Sequence, residues 1–148
     1  MTFTYLSCTR QSQSEQKELS KLSINKKLTV DSPSLTIGTF NKIPDDIDGC
    51  GCYFYLSKED ELKSNYLFIN DFADVAFISI NQKLVRLQLE AHVESSDVYS
   101  YKSEDYTVKL EIQKRVEGGE EVSIVEGTIR VSDAKHENQK KIVGTCGC

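Results

Sequence analysis

The triplet Cys-Gly-Cys occurs twice, as Cys50-Gly51-Cys52 and as Cys146-Gly147-Cys148, and holds four of the five cysteines. In an extended strand successive side chains alternate faces. Cys50 and Cys52 therefore share one face, and so do Cys146 and Cys148. Two sulfurs on one face of a single strand stand about 7 Å apart, too far to bond. Across two adjacent antiparallel strands, opposed Cβ atoms of a non-hydrogen-bonded pair lie about 4.5–5.5 Å apart, close to what a disulfide needs. Positions i and i+2 belong to the same pair type, so two bridges fit as readily as one. A closed meander with an even number of strands brings its first and last strands together antiparallel. That arrangement predicts Cys50–Cys148 and Cys52–Cys146. A parallel meeting would give Cys50–Cys146 and Cys52–Cys148.

Two other uses of the sulfurs compete with disulfide closure. Cys50, Cys52, Cys146 and Cys148 make a soft donor set for zinc or copper(I), although structural zinc sites favour C-x2-4-C spacing. A ring closed within one triplet would be strained and redox-active. A thiol nucleophile has no base in view, because the two histidines, His92 and His136, fall on surface-type segments.

The runs between the triplets read as strands. "CGCYFYLS" (50–57), "NYLFIN" (65–70), "ADVAFISI" (73–80), "KLVRLQLEA" (83–91), "DYTVKLEIQ" (105–113), "EVSIVEGTIRVS" (121–132) and "KKIVGTCGC" (140–148) are short, rich in β-branched and aromatic residues, and several alternate. "LTIGTF" (35–40) is a lead-in. "INQK" (80–83) and "EGGE" (117–120) carry turn chemistry. The apolar phase shifts between Ile124 and Val125, which predicts a bulge or bend near Gly127. The expected fold is all-β, an antiparallel barrel or sandwich of about eight strands spanning 35–148.

Upstream, "MTFTYLSC" (1–8) places a small residue before Cys8, like the end of a bacterial lipoprotein signal. We read 1–8 as the remnant of such a signal, with Cys8 as lipid anchor, and 9–34 as a Ser-, Gln- and Lys-rich flexible tether. The expected location is the bacterial periplasm or outer membrane. The tether holds five basic and three acidic residues, so the other residues carry −7 of the net −5. An anionic domain without clustered Lys and Arg does not bind nucleic acid, and it suits a basic protein partner. No run approaches the roughly 18 apolar residues of a membrane span, leaving a lipid as the membrane contact.

"IPDDIDG" and "NDFAD" gather carboxylates that suit calcium, but without the spacing of a calcium hand they read as solvated turns. There is no phosphate loop, G-x-S-x-G or H-E-x-x-H, so neither an enzyme nor a cofactor is expected. "ESSDVYSYKSEDY" (94–106) is a polar segment with tyrosines suited either to an interface or to the core.

"IPDDIDGCGCYF", "VAFISINQKLVRLQ" and "GTCGC" together resemble small bacterial envelope proteins with a D-G-C-x-C-x-F start and a C-G-C end. More distantly, "DVAFISINQKLVRLQLEAHVESSDVYS" is similar to the core of membrane-bound c-type lysozyme inhibitors, although this chain has no tryptophan and four framework cysteines. That resemblance implies a lipid-anchored inhibitor built on a small barrel, which inserts a Ser- and Tyr-containing loop into the lysozyme cleft. Ser95 or Ser96, with Tyr99, would form the loop contact, and Lys102 would stand for a basic contact residue. The four-cysteine metal protein and a purely structural envelope module are the rival functions.

Overall fold

Cys52 lies directly opposite Cys146 on neighbouring antiparallel strands, and the whole architecture follows from that meeting. A computed structural model describes residues 34–148. Cys8 and all but the last residue of the expected tether lie outside them. The strands are β1 (Ile37–Gly38), β2 (Gly51–Tyr55), β3 (Phe68–Asn70), β4 (Val75–Ile80), β5 (Lys83–Val93), β6 (Val98–Lys102), β7 (Thr107–Gly119), β8 (Val122–Ser132) and β9 (Glu137–Gly147). From β2 to β9 each strand pairs antiparallel with the next, and β2 pairs with β9 to close an eight-stranded barrel. β1 is an additional strand, set against the end of β4 that β3 does not reach.

The bridges are Cys50–Cys148, with Cα atoms 4.3 Å apart, and Cys52–Cys146, at 4.0 Å. Both spacings belong to the non-hydrogen-bonded pair of an antiparallel ladder, as the repeated triplet predicts. Gly51 and Gly147 stand opposite each other, yet each makes room on its other side. A Cβ on Gly51 would sit 1.9 Å from the carbonyl oxygen of Asn70 on β3, and one on Gly147 would sit 2.7 Å from that of Glu121 before β8. The small size of Gly51 and Gly147, which the triplets suggest would let the two sulfur-bearing strands approach, instead admits the outer neighbours β3 and the turn before β8.

Alternation fills the barrel. Phe54, Phe68, Ile78, Leu87, Tyr101, Val108, Leu110, Val125, Ile129, Val131 and Ile142 point inward and are buried. Each such side chain contributes about 1.5–3 kcal/mol on leaving water. The outward residues Tyr55, Tyr66, Ile69 and Phe77 form a second cluster with Ile47 of the lead-in, which crosses the outside of β2, β3 and β4. Nonpolar residues on both faces explain why these three strands read as continuous apolar runs.

Several local expectations shift. Asn81 and Gln82 have φ of 49° and 65°, so the β4–β5 hairpin turns where "INQK" placed it. The β7–β8 turn falls on Glu120 and Glu121, just beyond the expected glycine pair, with Gly119 at φ 147°. β8 alternates without a break; Ile124 simply faces out, 47% exposed. The bulge expected near Gly127 lies on the partner strand: Ile112 opposes Gly127 and Lys114 opposes Glu126, leaving Gln113 extra. Gly127 is needed there because a Cβ would meet the Glu111 carbonyl at 2.2 Å. β6 and the short helix α1 (Lys58–Leu62) arise within segments that show no clear period in the sequence.

Candidate functional site

The meander places alternate connections at the same end of the barrel. At the disulfide end meet the lead-in before β2, the β3–β4 loop, the β5–β6 tip and the β7–β8 turn. Segments 46–49, 71–74, 94–97 and 120–121 of these connections hold Asp46 and Asp48, Asp71 and Asp74, Glu94 and Asp97, and Glu120 and Glu121, with no Lys or Arg, while the lead-in also carries Asp45 and Lys42 further upstream. The opposite end mixes both signs, with Lys58, Lys63 and Lys135 among its acids.

Two of the eight carboxylates are held by guanidinium groups. Arg86 Nε donates to Asp46 Oδ2 at 3.0 Å. Arg115 forks onto Asp97, with Nε and Nη2 at 3.1 and 3.0 Å from Oδ2. Asp97 occupies the left-handed region, φ 51°, which a short polar side chain tolerates. Its carbonyl also accepts from Ile112 N–H at 3.0 Å, so the β5–β6 tip is pinned to β7 through both main chain and side chain. Ser95 and Ser96 form the exposed apex, in a 3-10 turn over Glu94–Ser96.

Beneath the tip a row of rings climbs out of the core. Phe54 to Phe68 is 5.9 Å between centroids, Phe68 to Tyr101 5.3 Å, Tyr101 to Tyr99 6.4 Å, and Tyr99 to His92 3.9 Å with planes 9° apart. His92 reaches this row because Glu90 is bulged out of β5: Leu89 opposes Tyr101 and Ala91 opposes Ser100, which returns His92 opposite Tyr99. Burial pushes the Tyr99 phenol up, and the Asp97 carboxylate beside it adds to the shift. Burial also raises the Tyr101 phenol, although the bond from Asn70 counteracts it.

Asn70 seals the mouth from within. It is 3% exposed, accepts from Cys52 N–H at 3.0 Å and donates Nδ2–H to the Tyr101 hydroxyl at 2.9 Å. The amide thus joins β2, β3 and β6 just below the Cys52–Cys146 bridge. Beside the other bridge, Asp46, Asp48, Cys50, Asp71, Phe72 and Ala73 line an open depression of about 310 Å³, with Phe72 58% exposed at its lip. The carboxylates of "IPDDIDG" and "NDFAD" are therefore neighbours. Asp71 Oδ1 accepts from Ala73 and Val75 N–H, as a turn-forming aspartate does. Among the described residues no group of three or more His, Cys, Asp and Glu is arranged to hold a metal ion. The four sulfurs of the metal alternative are joined in two pairs, and a thiolate site would first require both bonds to be reduced.

The residues singled out by resemblance separate. Ser95, Ser96 and Tyr99 gather at the β5–β6 tip. Lys102 stands at the far end of β6, about 13 Å along the strand from Val98, and pairs with Glu90. Asn70, His92 and Arg115 were not anticipated at the site. The signal for Asn70 was present, since a polar residue in the inward phase of "LFIN" needs buried partners. Arg115 gave none, because its inward direction depends on the bulge at Gln113. Comparison of the chain with protein-family models, with curated proteins and with solved structures returns no match.

Proposed function

We propose that this chain is an exported, lipid-anchored binding domain without catalytic chemistry, which takes a basic protein against the acidic, disulfide-closed end of the barrel. The observation that carries the reading is the charge of that end: four loop segments bring eight carboxylates together with no lysine or arginine in the segments themselves, and only Asp46 and Asp97 of the eight are matched by a guanidinium from a neighbouring strand. Unlike charges speed encounter and favour a basic surface over others. The two disulfides support an oxidising compartment, where such bonds persist. The lipid would sit on Cys8, at the periplasmic face of a bacterial membrane.

A c-type lysozyme is the partner to test first, because these enzymes are basic and the β5–β6 tip carries Ser95, Ser96 and Tyr99 where the resemblance asks for them. Ser95 and Ser96 are solvent-exposed at the apex, while Tyr99 is braced between His92 and Tyr101. A rigid apex loses little freedom on entering a cleft. Titration of the protein into a c-type lysozyme acting on cell walls should lower its rate in proportion to complex formed. Inhibition should weaken as salt rises from about 0.05 to about 0.5 M. Substitution of Ser95 and Ser96 by Lys should abolish inhibition without changing stability. Full lysozyme activity at micromolar protein in low salt removes lysozyme as the partner; equal binding of basic and acidic proteins removes the electrostatic reading itself.

A further inference from the structure

A strand whose outer side lacks a neighbour presents unpaired N–H and C=O groups, a template for another strand. Among the described residues, β6 accompanies β7 only as far as the Val98–Glu111 pair, followed by the single bond from Ile112 N–H to Asp97. β7 runs on to Gly119, paired with β8 on its other side, and Gln113–Gly119 is exposed throughout.

The Cys52–Cys146 bridge determines which groups are open. With Cα atoms 4.0 Å apart the two residues form a non-hydrogen-bonded pair, so Cys146 turns its main-chain groups toward Ser123 on β8. Pair types alternate along a ladder. Ser123 and Val125 therefore bond β9, while Ile124 and Glu126 bond β7. Opposite these last two stand Val116 and Lys114, which are tied to β8. Arg115 and Glu117 turn their N–H and C=O the other way. Ile112, opposite Gly127 in the same phase as Arg115, also turns outward, and its N–H is the one that reaches Asp97.

We infer that the Arg115–Glu117 edge is a docking site for an extended partner segment that alternates basic with apolar residues. On the mouth side of an added strand, its side chains would meet Glu117, the neighbouring Glu120 and Glu121, and the Glu94–Asp97 tip. The cations native to this edge are already engaged, Arg115 by Asp97 and Lys114 by Glu126 at 3.6 Å. On the outer side stand Val116 and Ile124, a cross-strand pair exposed by 48% and 47%. A second copy matches this surface less well. A two-fold axis through Val116 would oppose Arg115 to Glu117 but drive each Glu120–Glu121 turn against the other copy's acidic tip. The inference rests on the reading that this end takes a basic partner, and adds to it the main-chain pairing.

Amide exchange on the full chain, with and without a blocked Lys-Val-Lys-Val-Lys peptide, tests the inference. In the free protein the amides of Arg115 and Glu117 should exchange fast and those of Lys114 and Val116 slowly. Saturating peptide should slow Arg115 and Glu117 by about tenfold or more, and N-methylation of alternate peptide bonds, which leaves the charge intact, should weaken binding about tenfold. Equal affinity of the two peptides overturns the edge inference while leaving the acidic-rim reading in place. Protection of Arg115 and Glu117 in the free chain overturns it as well, because the edge would already be taken. Failure of lysozyme inhibition with the exchange pattern intact would count against the lysozyme assignment alone.

Discussion

Asn70 joins three strands with one side chain, and its replacement measures how much the mouth depends on buried polar bonds. Asn70→Ala leaves the Cys52 N–H and the Tyr101 hydroxyl without their partner in a site closed to water. The expected loss is about 2–3 kcal/mol, read from the urea midpoint at unchanged slope. Tyr101 and Tyr55 make a second prediction at this scale. Burial raises both phenols, Tyr55 to about 12. Phenols in the unfolded chain ionise near pH 10, so there the folded state begins to bind more protons than the unfolded one. Their contribution is complete below pH 10 and falls as pH rises from about 10 through the folded values. A stability profile that stays flat from about pH 9 to 11.5 would contradict the burial of these hydroxyl groups. The core register of Phe68 and Leu87 is legible from alternation. The partners of Asn70 are not, since they come from strands 18 and 31 residues away.

At the level of elements, close approach is enforced by glycine. Gly51→Ala places a Cβ 1.9 Å from a backbone oxygen of β3, which cannot swing aside as a flexible side chain does. We expect a loss of about 2–3 kcal/mol. Gly49→Ala, with no atom within 4 Å of its Cβ, should cost only the strain of φ 105°. Equal effects would argue against a β2–β3 contact this tight. Strand phases up to residue 89 follow the sequence, because period two with one buried face specifies register. Beyond that point three extra residues interrupt the pairing, Glu90 on β5 and Gln113 and Gly118 on β7. Neither Glu90 nor Gln113 has a distinctive residue type. Their placement answers the geometry of a closing barrel, in which a strand must bend more sharply at some point than regular pleating allows. β6 was hidden for a related reason. Tyr99 and Tyr101 alternate with polar residues, but only five residues pair, too few to separate a strand from a polar loop with tyrosines.

On the scale of the molecule, the two bridges act on one closure. Cys50–Cys148 and Cys52–Cys146 span 98 and 94 residues, and whichever remains still closes nearly the whole barrel. Replacing Cys50 and Cys148 by serine should therefore cost about 2 kcal/mol or less, while replacing all four should cost roughly 4–5 kcal/mol or more. Additive losses of equal size would show that the bridges do not share a single loop. The same closure gathers four acidic loops at one end, a grouping invisible along the chain, where they lie at 46–49, 71–74, 94–97 and 120–121. Period-two alternation and two equally spaced triplets are enough to read an all-β fold whose first and last strands are joined through their cysteines, with the pairing Cys50–Cys148 and Cys52–Cys146 following if those strands meet antiparallel. Only folding sets the closure as a barrel rather than a sandwich, the bulges, the outward role of Gly51 and Gly147, the row of rings ending on His92, the Arg115–Asp97 fork and the open stretch of β7. Each of these arises from contacts between strands distant in sequence, whose relative shift is set by barrel curvature rather than by any local residue preference.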